Sequence, residues 1–171
     1  MSARSSTKLS TEVKADLVET YREIMWLAKR NKITPSQARA WYTHIRYTTL
    51  RRQVRIFTGK VSKRSLLPSS DRLVLEHYKR IQTTLTKLVE RHLQTGMNNP
   101  EEFVEIIQKY ERVNIVTNEE NAAIMRAGGS YKKADVTLVH WNTLPETKKL
   151  DLWNRALRGK VTNSLKYKPI K

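Results

Sequence analysis

The sequence predicts an all-α protein, an antiparallel three-helix bundle with a C-terminal helical extension. Three observations carry that expectation. Gly and Pro number only five each among 171 residues, while Ala, Leu, Lys, Arg and Glu are plentiful, a composition that favours helices over turn-rich sheets. Long stretches repeat apolar residues at helical spacing, and helix-opening and helix-closing residues bracket those stretches.

The first helix is expected to start at Ser10 or Thr11 and end near Asn31. Glu12 and Asp16 fall in its opening turns, where the helix dipole favours negative charge. Val13, Leu17, Tyr21, Ile24, Met25 and Ala28 form one apolar stripe, with Arg22 about 100° round from Tyr21 at the stripe's edge. "TPSQ" opens the second helix, with Thr34 as N-cap, Pro35 first and Gln37 where a capping box wants Glu or Gln. Ala38, Trp41, Tyr42, Ile45, Thr49 and Ile56 make one stripe; Tyr47, Leu50, Val54 and Phe57 make another. A helix apolar on two faces is sandwiched between neighbours, and Gly59 suits its end.

A third helix is expected after the basic connection "KVSKRSLLPSS", capped by Ser69 or Ser70 and stopped by Gly96. Val74, Tyr78, Ile81, Leu85, Leu88 and His92 lie along its buried side. Asn99, Pro100 and Glu102 start a fourth helix with Phe103, Ile106, Ile107 and Tyr110 inward. Thr117 and Glu120 form a capping box before a short helix to Met125. "ADVTLVHW" alternates loosely and reads as either a strand or an extended arm. A last helix runs from about Pro145 to Arg158 with Leu150, Trp153 and Leu157. The chain thus divides into an N-terminal segment 1–10, a bundle 11–96, a helical extension 97–159 and a basic, mobile tail 160–171. The segment "MSARSSTKLS", acid-free and Ser/Thr-rich, suits either a mitochondrial targeting sequence or a frayed polar end.

The formal charge is +17, which favours polyanionic partners: RNA, DNA, an anionic membrane surface or an acidic protein. Its distribution is uneven. Between Ile24 and Ser70 stand eleven Lys or Arg and no Asp or Glu, whereas from Gly96 onward thirteen basic residues face nine acidic ones. No apolar run approaches the roughly 20 residues that span a bilayer, and the absence of cysteine removes disulfides and thiolate chemistry.

Nothing in the sequence points to an enzyme. His44, His77, His92 and His140 lack metal-ligand spacing, and His77 and His92 fall on or beside an apolar stripe. Glu12, Asp16, Glu19 and Glu23 line an outer helix face, without the burial that would separate their pKa values. No P-loop, dinucleotide fingerprint or nucleophile elbow occurs. The basic second helix stands apart: Arg39 and Arg46 share one face and Arg51 and Arg55 another. Arg52 lies close to the apolar stripe, so it must snorkel, pair internally or bind an anion. Arg and Lys also neutralise phosphates, and Trp41, Tyr42, Tyr47 and Phe57 could stack on unpaired bases, although their helical spacing suits a core. Trp141 or Trp153 is either packed on the bundle or an exposed anchor for a client.

The stretch "ETYREIMWLAKR" with "HIRYTTLRRQVRIF" resembles the LYR-motif family, small basic three-helix proteins of the mitochondrial matrix. Tyr21-Arg22 matches the last two letters of the family's Leu-Tyr-Arg, Thr20 stands at the leucine, and Phe57 aligns with a downstream phenylalanine. The resemblance covers roughly residues 12–95. It implies an adaptor, not an enzyme, that binds an acidic acyl carrier protein and takes acyl-phosphopantetheine in trans, with no cofactor of its own. It also implies an assembly or stability role for a client subunit of a respiratory complex or the mitoribosome. Tyr21, Arg22, Arg39, Arg46, Arg51, Arg52, Arg55 and Phe57 are the expected partner-binding residues. The competing expectation is a basic helical RNA-binding protein, such as a ribosomal or ribosome-assembly component. The first predicts a groove or tunnel with Tyr21, Arg22 and Arg52 at its mouth; the second predicts a filled core and a continuous basic surface.

Overall fold

The computed structural model describes residues 9–68 and 71–169. Most of the N-terminal segment and the expected Ser69 or Ser70 cap lie outside the described residues. The fold is mixed α/β, not all-α: a four-stranded sheet replaces the expected arrangement of a three-helix bundle with a helical extension. Two compact units result, each made from separated stretches of chain. The first runs to Val54 and resumes over Arg80–Glu111; the second takes Arg55–Lys79 and the described chain from Arg112 onward.

In the first unit, α1 spans Thr11–Ala28, and Ser10 caps it by accepting from the Val13 N–H. All six stripe residues are buried, with Leu17 and Tyr21 wholly enclosed. Helix α2 (Pro35–Ala40) opens on the complete Thr34–Gln37 capping box. It continues through π-helical turns at Trp41–Arg46 into α3 (Tyr47–Val54). The wider turns hold more residues each, so the buried positions step by fours through Ala38, Tyr42, Leu50 and Val54 while Ile45 and Thr49 stay exposed. One face of this helix is therefore buried, not the expected two.

Helix α4 (Ile81–Thr95) buries Ile81, Leu85, Leu88, Val89 and His92 and ends at Gly96, whose φ of 67° suits a left-handed cap. Helix α5 (Pro100–Tyr110), capped by Asn99, buries Phe103, Val104 and Ile107. Helices α1, α2, α4 and α5 share one apolar core.

The second unit is built on strands β1 (Ile56–Ser62), β2 (Leu73–His77), β3 (Arg112–Thr117) and β4 (Leu138–His140). Their order is β2-β3-β1-β4, with β1 parallel to β3 and both outer strands antiparallel to their neighbours. Ile56 and Phe57, assigned by helical spacing to the second helix, belong to β1. Val74 belongs to β2, and the third helix starts only at Ile81. β3 has the near-continuous burial of a central strand, from Val113 to Thr117.

The Thr117–Glu120 capping box opens α6 (Asn118–Arg126) as its sequence suggests. Helix α7 (Glu146–Leu152) runs into π-helical turns at Trp153–Leu157. Trp141 and Trp153 are both buried in the core around Phe57, so neither is an exposed anchor. Three residues of 160–169 also pack there. Val161 is buried, the Asn163 amide exchanges two hydrogen bonds with the Phe57 backbone, and the Tyr167 ring meets Phe57 edge-on at 4.7 Å between centroids.

Candidate functional site

The outer side of α1 carries an arrangement that core packing does not explain. Arg22 and Trp26 are four residues apart and share one face of α1, with Lys29 at its C-cap and Arg30 in the bend just beyond. Trp26 is 57% exposed, while the other tryptophans are wholly or partly enclosed. The Arg30 guanidinium lies 3.9 Å from the centre of the indole ring, a cation–π stack that orients both groups. Arg22 is exposed and pairs with Glu19 at 3.3 Å, an ion pair worth only about 0–1 kcal/mol in water.

Two clefts flank Trp26, and Arg22 lines both. One, of about 290 Å³, lies between α1 and the turn after α4, and is lined by Met25, Lys29, Leu93 and Met97 with no carboxylate. The other, of about 460 Å³, faces Trp41 and includes Glu19 and Glu23. Glu23 accepts from the Trp41 indole N–H at 2.7 Å and lies 3.5 Å from Arg46 Nε.

Behind this face the first unit is filled. The Tyr21 hydroxyl bonds His92 Nδ1 at 2.7 Å and accepts from the Asn99 N–H, while His92 Nε2 bonds Glu102 at 3.0 Å. Burial, the largest influence, pushes the Tyr21 phenol up, and Glu102 nearby adds to it. The Arg91 hydrogen bond, aided by His92, holds Glu102 below its ordinary value. Further along, the Tyr42 and Tyr47 hydroxyls both donate to the buried Glu111 carboxylate.

The eight residues singled out from sequence are dispersed. Tyr21 is core and Arg22 is at the cleft rim. Arg39 is buried, its guanidinium donating to the hydroxyls of Ser36 and Thr43, and burial lowers its pKa. Arg46 is half-buried and donates to Thr20 Oγ1 at 3.1 Å. Arg51 and Arg52 are exposed, so Arg52 reaches solvent. Arg55 is half-buried in the second unit, where its carbonyl accepts from Thr162, and Phe57 is enclosed in β1.

Trp26 was not among them. Its signal was present in the sequence: it is off the apolar stripe and four residues from an arginine on either side. Among the described residues no grouping of three or more His, Asp or Glu could hold a metal, and no helix is long and apolar enough to cross a membrane. Comparison with protein-family models, curated proteins and solved structures finds no match.

Proposed function

We propose that the chain is a non-enzymatic RNA-binding protein. The reading rests on the free cations of the acid-free tract. Lys29, Lys32, Arg51 and Arg52 are all exposed, and among the described residues none has a carboxylate within ion-pair distance. Such cations replace the counterions of a phosphate backbone, a sequence-independent attraction that weakens with salt. The filled core around Tyr21 and Tyr42 agrees better with surface binding than with a guest drawn through the helices.

Titration of the full chain against a single-stranded RNA at several salt concentrations tests this. Affinity falls with salt, and neutralising Lys29, Arg30 and Lys32 to Gln lowers the log–log slope by about 2, at about 0.7 for each phosphate that is no longer neutralised. Binding that is absent at low salt, or indifferent to salt, refutes the reading.

A second reading keeps the LYR-type adaptor: an acyl carrier protein partner in the mitochondrial matrix, acyl-phosphopantetheine in trans, and a client subunit of a respiratory complex or mitoribosome. One observation favours it. Arg22 stands at the rim of two largely apolar clefts while Tyr21, its neighbour, is core. Purification from the native source followed by intact mass spectrometry separates the readings: a stoichiometric carrier with an acyl-phosphopantetheine mass, lost in Arg22→Ala, supports the adaptor, and RNA alone opposes it.

A further inference from the structure

The aromatics that sequence offered as base-stacking platforms cannot serve. Tyr42 and Phe57 are enclosed, the half-buried Tyr47 has its hydroxyl tied to Glu111, and the half-buried Trp41 has its indole N–H tied to Glu23, a carboxylate that repels phosphate. Trp26 is different on three independent counts. It is exposed where the other tryptophans are covered. It already holds a cationic plane, Arg30, at stacking distance. It also borders a cleft whose charged rim, Arg22 and Lys29, is wholly cationic.

Those features match the recognition of single-stranded nucleic acid, in which bases stack on aromatic rings and arginine planes while cations track the phosphates. Arg22 and Lys29 lie seven residues apart, about two helical turns, and so bracket Trp26 along α1. The weak, exposed bond of Arg22 to Glu19 is readily exchanged for a phosphate. The neighbouring cleft contains Glu19 and Glu23, whose charge repels a nucleic-acid backbone and directs it to the carboxylate-free side.

We infer that Trp26 is a stacking platform for an unpaired base of single-stranded RNA, seated in the cleft between α1 and the 96–98 turn, with Arg22 and Lys29 on the flanking phosphates. This deepens the RNA-binding reading and rests on it. Met25 and Met97 complete the apolar wall. A duplex, whose bases are already stacked on one another, offers the indole no ring face, so the site discriminates single strands from double.

The test uses the full chain with a labelled oligo(U), an abasic oligomer with the same number of phosphates, a duplex, and polyglutamate. Oligo(U) is expected to bind most tightly and to quench tryptophan emission in the parent but much less in Trp26→Phe. Trp26→Ala should weaken oligo(U) by about 5- to 150-fold, the range for one stacked base, leave the abasic oligomer and the salt slope unchanged, and be largely rescued by Trp26→Phe. Equal binding of oligo(U) and the abasic oligomer, or an unchanged affinity in Trp26→Ala, overturns the platform while leaving RNA binding intact. Polyglutamate binding as tightly as oligo(U) overturns it in favour of an acidic protein partner. No binding of any nucleic acid overturns both. Because Trp26 is largely exposed, circular dichroism of both variants should match the parent.

Discussion

Replacing Tyr21 with Phe removes one oxygen from the middle of the helical unit and leaves the ring, packed against Phe103 and His92, in place. That oxygen accepts from the Asn99 N–H; the Glu102 carboxylate can only accept, so the neutral imidazole of His92 presents Nε2–H to it and leaves Nδ1 to accept the Tyr21 proton. Two hydrogen bonds at about 1 kcal/mol each, with the enclosed His92 nitrogen left without a donor, amount to about 2–4 kcal/mol. A domain has only about 5–15 kcal/mol in hand. With a urea slope of about 2 kcal/mol per molar, the unfolding midpoint should fall by about 1–2 M at unchanged slope. Arg22→Ala, one residue away but exposed, should stay within about 0.5 kcal/mol of the parent. Nitrogen NMR of the parent should find His92 protonated on Nε2. A Tyr21→Phe midpoint within about 0.3 M of the parent, or a proton on Nδ1 at neutral pH, would refute the chain of bonds.

Glu102 has a depressed folded pKa, caused first by the Arg91 hydrogen bond. Its contribution is therefore complete above the ordinary glutamate value of 4.5 and is lost as pH falls through the lower folded value. Glu102→Gln should be less stable than the parent near pH 7, and the two stability curves should converge below about pH 4.5; a constant gap down to pH 2 contradicts this. Asn163→Ala deletes both bonds to the Phe57 backbone, each 2.9 Å long, and should cost about 1–3 kcal/mol in urea melts. Arg39 is held only by two neutral hydroxyls among the described residues, and its buried Nε has no partner there. Arg39→Met should therefore leave stability within about 1 kcal/mol of the parent or raise it, and a loss above about 3 kcal/mol by thermal unfolding would show that a carboxylate neutralises it.

What was legible in the sequence is what is decided locally. Thr34 with Gln37, Asn99, and Thr117 with Glu120 all cap where their spacing says they should, because a cap needs only the next three residues. The sheet was not legible, since a strand is defined by partners far along the chain: β1 pairs Ile56 with Arg112. Ile56 and Phe57 continued a helical period by coincidence. "VNIV" is buried on both faces, and so short an apolar run has no periodicity to betray it. The π-helical turns at Trp41–Arg46 shift the buried face without any sequence mark. They leave Ile45 outside and bring Leu50 in, which is why two stripes appear in the sequence where one exists in the fold. Arg39 falls by spacing on a binding face although it is covered. Trp26, off the apolar stripe and set between two arginines, was legible as an exposed aromatic, but the carboxylate-free cleft beside it is formed with the 96–98 turn and shows only in the folded chain.

Thr20, the position that departs from the Leu-Tyr-Arg pattern, has a physical account of its own. It is wholly enclosed, and its hydroxyl donates to the Asp16 carbonyl at 2.7 Å while accepting from Arg46 Nε at 3.1 Å. The donation uses the hydroxyl's single proton, leaving its lone pairs for the guanidinium. Arg46 also approaches Glu23, which in turn takes the Trp41 indole N–H. A leucine at this position would offer Arg46 no acceptor and would leave a half-buried cation with less compensation. The threonine thus belongs to a polar clasp between α1 and the π-helical turns, and that clasp retains Arg46 inside the unit. Arg46 is thereby committed to structure. The solvent-facing cations that surround Trp26 are Arg22 on α1 and Lys29 and Arg30 just past its end.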